Sequence, residues 1–413
     1  MIPDRTHLLR GTLTLILAGG QGERLYPLTK WRAKPSVSFG GVYRILDFTL
    51  SNCLNSGLRR IYVLTQYRSL STDKHIRLGW NIFNHDKDEF IFTVPPQQHF
   101  AGSWYRGTAD AVYQNIDLLE EEQPGHVVVL SGDHIYKMNY SLMLDAHIGH
   151  NASVTIGAVH VPAREARRFG VLQLSDDWRV TGFVEKPENP ETLTTEPELF
   201  VNMGVYIFNT AELVRAVIED AKQESTDHDF GKNVMPRLVS SGAGIYAYPF
   251  LDENRQASEY WRDIGTLDSY YDASMDLVSV NPAFNLYDPE WPIRTLQPQR
   301  PPAKMLFDLP DQSRVGTCLD SIISSGCIIS GGLVRRSILS PGVRVRSYSK
   351  VADSILMENV EVGRNCNLRK VIIDEGVRIP DGTQIGVDQG EDGSRFTLSA
   401  NGVVVIPSGT YFD

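Results

Sequence analysis

The chain has 413 residues, long enough for two or three cores, with 42% apolar and 22% charged residues and a formal net charge of −10 at pH 7. That acidic balance argues against general nucleic-acid binding but leaves room for a locally basic pocket. No apolar stretch approaches the roughly 20 residues of a membrane span, nothing resembles a secretory signal, and Cys53, Cys318, Cys327 and Cys366 lack metal-type spacing, so the chain reads as a cytoplasmic protein of enzyme size with buried, reduced thiols and no membrane partner.

From Thr12 to about Val280 short apolar runs alternate with helical patterns. "LTLIL", "RIYVLTQ", "HVVVLSGD" and "ASVTIGAVHV" end in turn residues and read as buried strands of a mainly parallel sheet. "TADAVYQNIDLLEEE" places Ala109, Val112, Ile116 and Leu119 on one helical face, with Thr108 placed to cap it. Such alternation predicts an α/β domain whose ligands sit beyond the carboxyl ends of the strands.

Two stretches lie at such ends. "LAGGQGERL", residues 17–25, fits neither a P-loop, because Glu23 follows Gly22, nor a dinucleotide fingerprint, because Leu25 stands where a third glycine belongs. Gly19, Gly20 and Gly22 can adopt positive φ and bring backbone amides against an anion, with a following helix start adding its dipole and Arg24 and Lys34 adding charge. A tight strand-to-helix turn with surface cations explains the same residues. In "SGDHIY", Asp133 follows the apolar run "VVVL" and reads either as a cap for the next helix or as a hard oxygen ligand for Mg²⁺. In "FVEKP", Glu185 and Lys186 end another strand, and Lys186 is either solvated or aimed into a cleft.

Residues 281–302 hold six prolines and predict a linker or wrapping segment. Beyond it apolar positions recur every sixth residue, as in Ile322, Ile328, Val334, then Val345, Val351, Met357, then Val360, Cys366, Ile372, then Ile379 and Ile385. Turn formers lie between them, which predicts a parallel β-helix rather than an irregular sandwich. The expected domains are 1–280, a linker at 281–310, and a hexapeptide-repeat β-helix at 311–413.

"LAGGQGERLYPLT…RAKP", "WYRGTADA", "SGDHIYKMNY", "FGV", "FVEKP", "DHDFGKNVMP", "YWRDIGTLDSYY", "WPIRT" and "PPAK" occur in this order, and together they resemble the glucose-1-phosphate adenylyltransferases of bacterial glycogen synthesis. The first motif alone would indicate only a sugar-phosphate nucleotidyltransferase. The resemblance implies a Rossmann-like nucleotidyltransferase domain followed by a left-handed parallel β-helix, and the conversion of ATP and glucose 1-phosphate into ADP-glucose and pyrophosphate with Mg²⁺. It further implies that Leu17, Ala18, Gly19, Gly20, Gln97, Gly107 and Thr108 contact the nucleotide, that Arg24 and Lys34 hold its phosphates, and that Asp133 and Asp263 bind the metal. Tyr105, Gly170, Glu185, Lys186 and Asn202 would hold glucose 1-phosphate.

The family also implies a homotetramer and small anionic allosteric effectors, for which Arg32, Arg44 and Arg369 are the candidates. Several positions depart from the family pattern: Gln21 and Trp31 replace basic residues, Ser38 a frequent histidine, Glu120–Glu122 arginines, and Asn202 a serine. These departures predict a changed effector preference. Other readings are a nucleotidyltransferase for another base or sugar, a non-catalytic regulatory subunit, and an acyltransferase in the β-helix. The last is disfavoured because no histidine follows His228.

Overall fold

The computed structural model describes residues 5–96, 104–194, 196–252, 257–258, 260–309, 311 and 314–412. The chain forms two compact units: Met1–Gly20, Thr49–Gly132 and Tyr136–Trp261 in the first, and Gln21–Phe48, Asp133–Ile135 and Arg262–Asp413 in the second.

The first unit is built on a nine-stranded sheet. Phe90–Val94, Arg60–Thr65, Thr12–Ala18 and His126–Ser131 lie side by side and parallel. The last three are apolar runs of the sequence, buried on both faces as inner crossover-connected strands must be: Leu13, Leu15, Ile16, Ile61, Val63 and Val127–Leu130 are essentially inaccessible, whereas Phe90–Val94 lies at the sheet edge with Phe92 exposed. The long strand Glu198–Asn209 joins antiparallel to His126–Ser131 and carries Gly170–Leu174 and Val180–Glu185 beyond it. Val154–Pro162 also pairs with it, and Ile245–Pro249 runs parallel to Val154–Pro162.

The helix expected over 108–122 is two short helices, Thr108–Tyr113 and Asp117–Glu122. Asn115 explains the break. Its Nδ2 donates to the Ala111 carbonyl at 2.8 Å, while its own amide donates to Val112 instead. A side chain thereby competes with the backbone ladder. Thr108 does not cap; Gly107 precedes the helix, and Thr108 is its first residue. Glu122 has a structural task, accepting from Tyr62 Oη at 2.7 Å and from the buried Arg60.

A buried histidine sets a pH limit on this unit. His147 is bonded through Nδ1 to Thr155 Oγ1 at 2.8 Å and through Nε2 to Asn209 Oδ1 at 3.2 Å. Burial pushes its pKa down to about 4, and burial also lowers that of His126, whose ring meets it at 5.4 Å. An unfolded histidine takes its proton near 6.5, well before the folded one does. The stability that the neutral ring contributes is thus complete above about pH 6.5 and is lost as pH falls towards 4. The urea midpoint of the protein should fall between pH 7 and pH 4.5, and by less in His147→Gln; equal falls would show that His147 does not contribute.

In the second unit three columns of short parallel strands stack. Ile328–Ser330, Arg344–Val345, Glu361–Val362 and Arg378–Ile379 form one. Leu333–Arg335, Lys350–Ala352, Asn367–Arg369 and Gln384–Ile385 form the second. Ile322–Ile323, Ile338–Leu339, Ile355–Leu356 and Val371–Ile373 form the third. The arrangement is consistent with a left-handed β-helix, and Val334, Val345, Val351, Leu356, Val362, Leu368, Ile373 and Ile379 fill it.

Each coil advances 16 or 17 residues, as in Ile329, Val345, Val362 and Ile379, rather than the eighteen of three full hexapeptides. This explains why the six-residue periodicity slips: Ile329 is buried while Ile328, of the expected series, is only half-buried. The corners are columns of left-handed residues, for example Gly326, Gly342, Asn359 and Gly376 at φ of 75, 81, 59 and 72°. Gly and Asn take that conformation at least cost.

Cys53, Cys327 and Cys366 are buried, Cys318 is half-buried, and all four are free thiols. No helix among the described residues is long and apolar enough to cross a membrane.

Candidate functional site

Two clusters gather the sequence-predicted residues, one in each unit.

The second unit holds a cation cluster. Lys34 opens the single turn Lys34–Ser36 and is buried. Its Nζ lies 2.6 Å from Asp133 Oδ2 and 3.5 Å from Asp263 Oδ1. Burial works against the ammonium, but the two carboxylates outweigh it and raise the Lys34 pKa above its ordinary value, so the group stays charged. The strands His134–Tyr136 and Trp261–Asp263 pair, which brings the aspartates together across 130 residues of sequence. Asp133 is not a helix cap; the residues after it are a strand, and the next helix, Tyr140–Gly149, is capped by Asn139.

His134 joins the two aspartates. Its Nε2 is 3.4 Å from Asp133 Oδ1 and 3.8 Å from Asp263 Oδ1, and ligand atoms of the three residues lie within 4.8 Å of one another. Two hard carboxylates and an imidazole are a donor set that fits a divalent cation. Arg24 is exposed. A Cβ added at Gly265 would stand 2.8 Å from Asp263 Oδ2 and 3.3 Å from Arg24 Nη2, so Gly265 leaves this approach clear.

The glycine turn is divided. Gly22 alone has positive φ, at 66°, and a Cβ there would press to 2.8 Å on Lys34 Cβ, so its role is to let Lys34 pack. Gly19 and Gly20 do not adopt positive φ. No long helix follows, only the turn Glu23–Leu25, because Tyr26 is extended ahead of Pro27. The expected helix dipole is therefore absent.

In the first unit, Leu17 and Ala18 end the strand Thr12–Ala18 and pair with Leu64 and Thr65. A Cβ at Gly19 would meet Gln66 Cβ at 3.1 Å, whereas at Gly20 it would meet nothing within 4 Å, so the backbone there is open to a ligand. Gln66 accepts from Tyr105 N at 3.0 Å and donates to Tyr105 O at 3.4 Å. Tyr105 Oη accepts from Asn115 at 2.9 Å. Gly107 is required by backbone: a Cβ there would overlap the carbonyl oxygens of Asp227 and His228. Gln97 lies outside the described residues.

Lys186 and Gly170, two further predicted residues of this unit, adjoin the Glu185 carboxylate. Glu185 ends the strand Val180–Glu185, and its Oε1 is 2.9 Å from Lys186 Nζ. A Cβ at Gly231 would stand 2.8 Å from Glu185 Oε2, and one at Gly170 would stand 2.8 Å from the same oxygen and 2.5 Å from the Phe183 ring, so Gly231 makes room for the carboxylate and Gly170 for both side chains. Lys186 is held at φ 45° by a bond from its amide to Phe169 O at 3.0 Å. Thr108 Oγ1 donates to Asp229 Oδ2 at 3.0 Å and accepts from Phe230 N at 2.9 Å, tying "GTADA" to "DHDFGK". Asn202 accepts from Gly204 N at 2.9 Å and donates to Tyr206 Oη at 2.7 Å.

Of the basic effector candidates, Arg32 is buried with Nη2 2.9 Å from Asp374 and 3.1 Å from Glu375. Arg44 binds Ser38 Oγ at 2.7 Å and Glu358 at 3.3 Å. Arg369 is exposed on the strand Asn367–Arg369. Trp31 is exposed beside Lys30, whose Nζ lies 5.2 Å from the ring.

Sequence reasoning passed over His134, Gln66, Asp229 and Gly231. His134, Asp229 and Gly231 stand inside motifs already singled out, but a motif does not reveal which of its side chains face one another.

Comparison with known proteins is consistent along the whole chain. The "Nucleotidyl transferase" family pattern matches residues 13–280, and the "GlmU-like, C-terminal hexapeptide" pattern matches residues 301–406. A protein of Koribacter versatilis named glucose-1-phosphate adenylyltransferase is 52% identical over 398 residues, covering 96% of this chain and 95% of that protein. One of the same name from Rhodopirellula baltica is 52% identical over 406 residues, 97% of this chain and 91% of its own. The glucose-1-phosphate adenylyltransferase 2 of Vibrio cholerae is 50% identical over 407 residues, 98% of this chain and 99% of its own.

Proposed function

The chain belongs to the glucose-1-phosphate adenylyltransferase family, and from that premise we propose that it transfers the adenylyl group of ATP to glucose 1-phosphate, releasing pyrophosphate and ADP-glucose. The observation that carries the chemistry is the buried Lys34 ammonium held between Asp133 and Asp263. A phosphate oxygen of the sugar attacks the α-phosphorus in line. It is already an anion, so no side-chain base is needed, and positioning and charge stabilisation carry the catalysis.

Residue roles follow from chemistry. Lys34 and Arg24 hold the phosphates as negative charge moves to the leaving pyrophosphate. Leu17 to Gly20 line the nucleotide, with open backbone at Gly20, and Gly107, Thr108 and Gln97 are on the base side. Asp133 and Asp263 hold Mg²⁺, which when bound supplies further neutralisation of the phosphate oxygens. Glu185 accepts from sugar hydroxyls, Lys186 faces the sugar's phosphate, and Tyr105, Gly170 and Asn202 complete the sugar's surroundings.

The proposal extends to a cytoplasmic homotetramer that supplies ADP-glucose for α-glucan synthesis under control of small anionic effectors. In that control Arg369 offers an exposed charge, while Arg32 and Arg44 are already engaged by carboxylates. A non-catalytic subunit is disfavoured by the retained Lys34, Asp133 and Asp263.

Pyrophosphate release with ATP and glucose 1-phosphate, against UTP, GTP, dTTP and other sugar phosphates, tests the assignment. Preference for another nucleotide or sugar would transfer the chain to a neighbouring specificity. Within that assay Lys186→Ala should raise the KM for glucose 1-phosphate about tenfold, the loss of one charge-assisted hydrogen bond, with a smaller effect on kcat. Unchanged saturation would remove Lys186 from the site.

A further inference from the structure

We propose that His134 is a third metal ligand, through Nε2, so that the cation site has a mixed oxygen–nitrogen donor set and holds Mn²⁺ more tightly than two carboxylates alone would. The inference rests on the reading of Asp133 and Asp263 as cation ligands given above.

Three observations converge on His134. The first is distance. Its Nε2 is 3.4 Å from Asp133 Oδ1 and 3.8 Å from Asp263 Oδ1. Two donors that each bind one ion at about 2.1 Å are themselves about 3.0 Å apart at right angles and about 4.2 Å apart when opposed. Both measured separations fall in that interval and exceed the ~2.9 Å of an ordinary N–H···O bond. The ring is thus spaced from the carboxylates as a fellow ligand would be.

The second observation is the division of the Asp133 carboxylate. Lys34 Nζ engages Oδ2 at 2.6 Å, whereas Oδ1 is the oxygen that faces the imidazole. The short contact of the buried ammonium is thus on the far oxygen of Asp133, and its contact to Asp263 Oδ1, at 3.5 Å, is the longer one, which a cation bound to Oδ1, Asp263 Oδ1 and His134 Nε2 would share. The third is restraint. His134 starts the strand His134–Tyr136, which pairs with Trp261–Asp263, the strand that carries the second aspartate. Its side chain is only 12% exposed. One pairing thus fixes all three donors.

The chemistry distinguishes ligand from bystander. Mg²⁺ favours oxygen and gains little from imidazole, whereas Mn²⁺ and the later divalent metals accept nitrogen readily. If His134 only orients the carboxylates by hydrogen bonding, no nitrogen reaches the metal.

Pulsed electron paramagnetic resonance of Mn²⁺ on the full chain decides between them. Inorganic pyrophosphate, the nitrogen-free product of the reaction, serves as co-ligand, so any directly coordinated ¹⁴N comes from protein. The expected result is ¹⁴N modulation that is replaced by that of ¹⁵N when only histidine is ¹⁵N-labelled. His134→Gln should abolish it and weaken Mn²⁺ about tenfold or more, with a smaller change for Mg²⁺. Bound Mn²⁺ without nitrogen modulation would overturn the inference and leave the aspartates as ligands. Failure of the wild-type protein to bind Mn²⁺ at all, or unchanged binding in Asp263→Asn, would overturn the aspartate reading and the inference with it. The labelling arm uses the wild-type chain and shows whether a histidine is the nitrogen donor even if His134→Gln does not fold, and among the described residues His134 is the histidine clustered with the two aspartates.

Discussion

Asp133→Asn should lower kcat by at least ~10²-fold in the pyrophosphate-release assay and leave the KM for glucose 1-phosphate nearly unchanged. The substitution keeps the shape of the side chain and removes its charge. Two consequences follow at once: Oδ2 no longer offers a full negative charge to Lys34 Nζ at 2.6 Å, and Oδ1 no longer offers one to a metal beside His134 and Asp263. Both effects act on charge that develops as pyrophosphate departs, so the loss belongs to kcat and has the size typical of a lost transition-state stabiliser. The sugar-side residues, centred on Glu185 and Lys186, are untouched. Near-normal turnover would exclude a metal role for Asp133.

Lys34→Met should lower kcat by about 10²- to 10³-fold. Methionine keeps most of the stem that packs on Gly22, where a Cβ would press to 2.8 Å on Lys34 Cβ, so the change isolates the charge. Lys34 is buried, and its carboxylate partners hold it protonated, making it a fixed cation that needs no reorganisation as charge moves. Arg24 is exposed and cannot substitute at the same point. The variant also leaves Asp133 and Asp263 without their buried cation, so its urea midpoint should fall unless Mg²⁺ is present. An equal loss of stability with and without Mg²⁺, at normal turnover, would make Lys34 a structural residue.

The features that the sequence revealed and those it hid differ in the range of the interactions behind them. The strands Thr12–Ala18, Arg60–Thr65 and His126–Ser131 were legible because a strand buried on both faces must be a continuous apolar run. The repeat was legible because turn formers mark each corner, but its 16- to 17-residue coil was not, since hexapeptide spacing lacks the shortened side. Local competition spoiled two helix readings. Asn115 captures the Ala111 carbonyl and divides one helix, and Pro27 stops another after a single turn.

The site was legible as motifs and not as contacts. Asp133 and Asp263 meet through pairing of two short strands far apart in sequence, which no spacing rule encodes; only the family resemblance suggested it. The same pairing places His134, which the sequence shows merely as a neighbour of Asp133. The glycines gave a mixed signal: Gly22 accommodates Lys34, Gly170 accommodates Phe183 and Glu185, Gly231 accommodates Glu185, and within the glycine turn it is Gly20 that faces open space. The sequence shows that such residues are small but not which neighbour needs the room.

The central claim is that the sugar phosphate itself displaces pyrophosphate, with fixed charges and no side-chain nucleophile. The direct measurement is the stereochemical course at the α-phosphorus, using ATP with a sulfur of one known configuration at that position and glucose 1-phosphate as acceptor. A single in-line displacement yields sulfur-labelled ADP-glucose of inverted configuration. Retention would require two displacements through a covalent nucleotidyl–protein intermediate and would contradict the account.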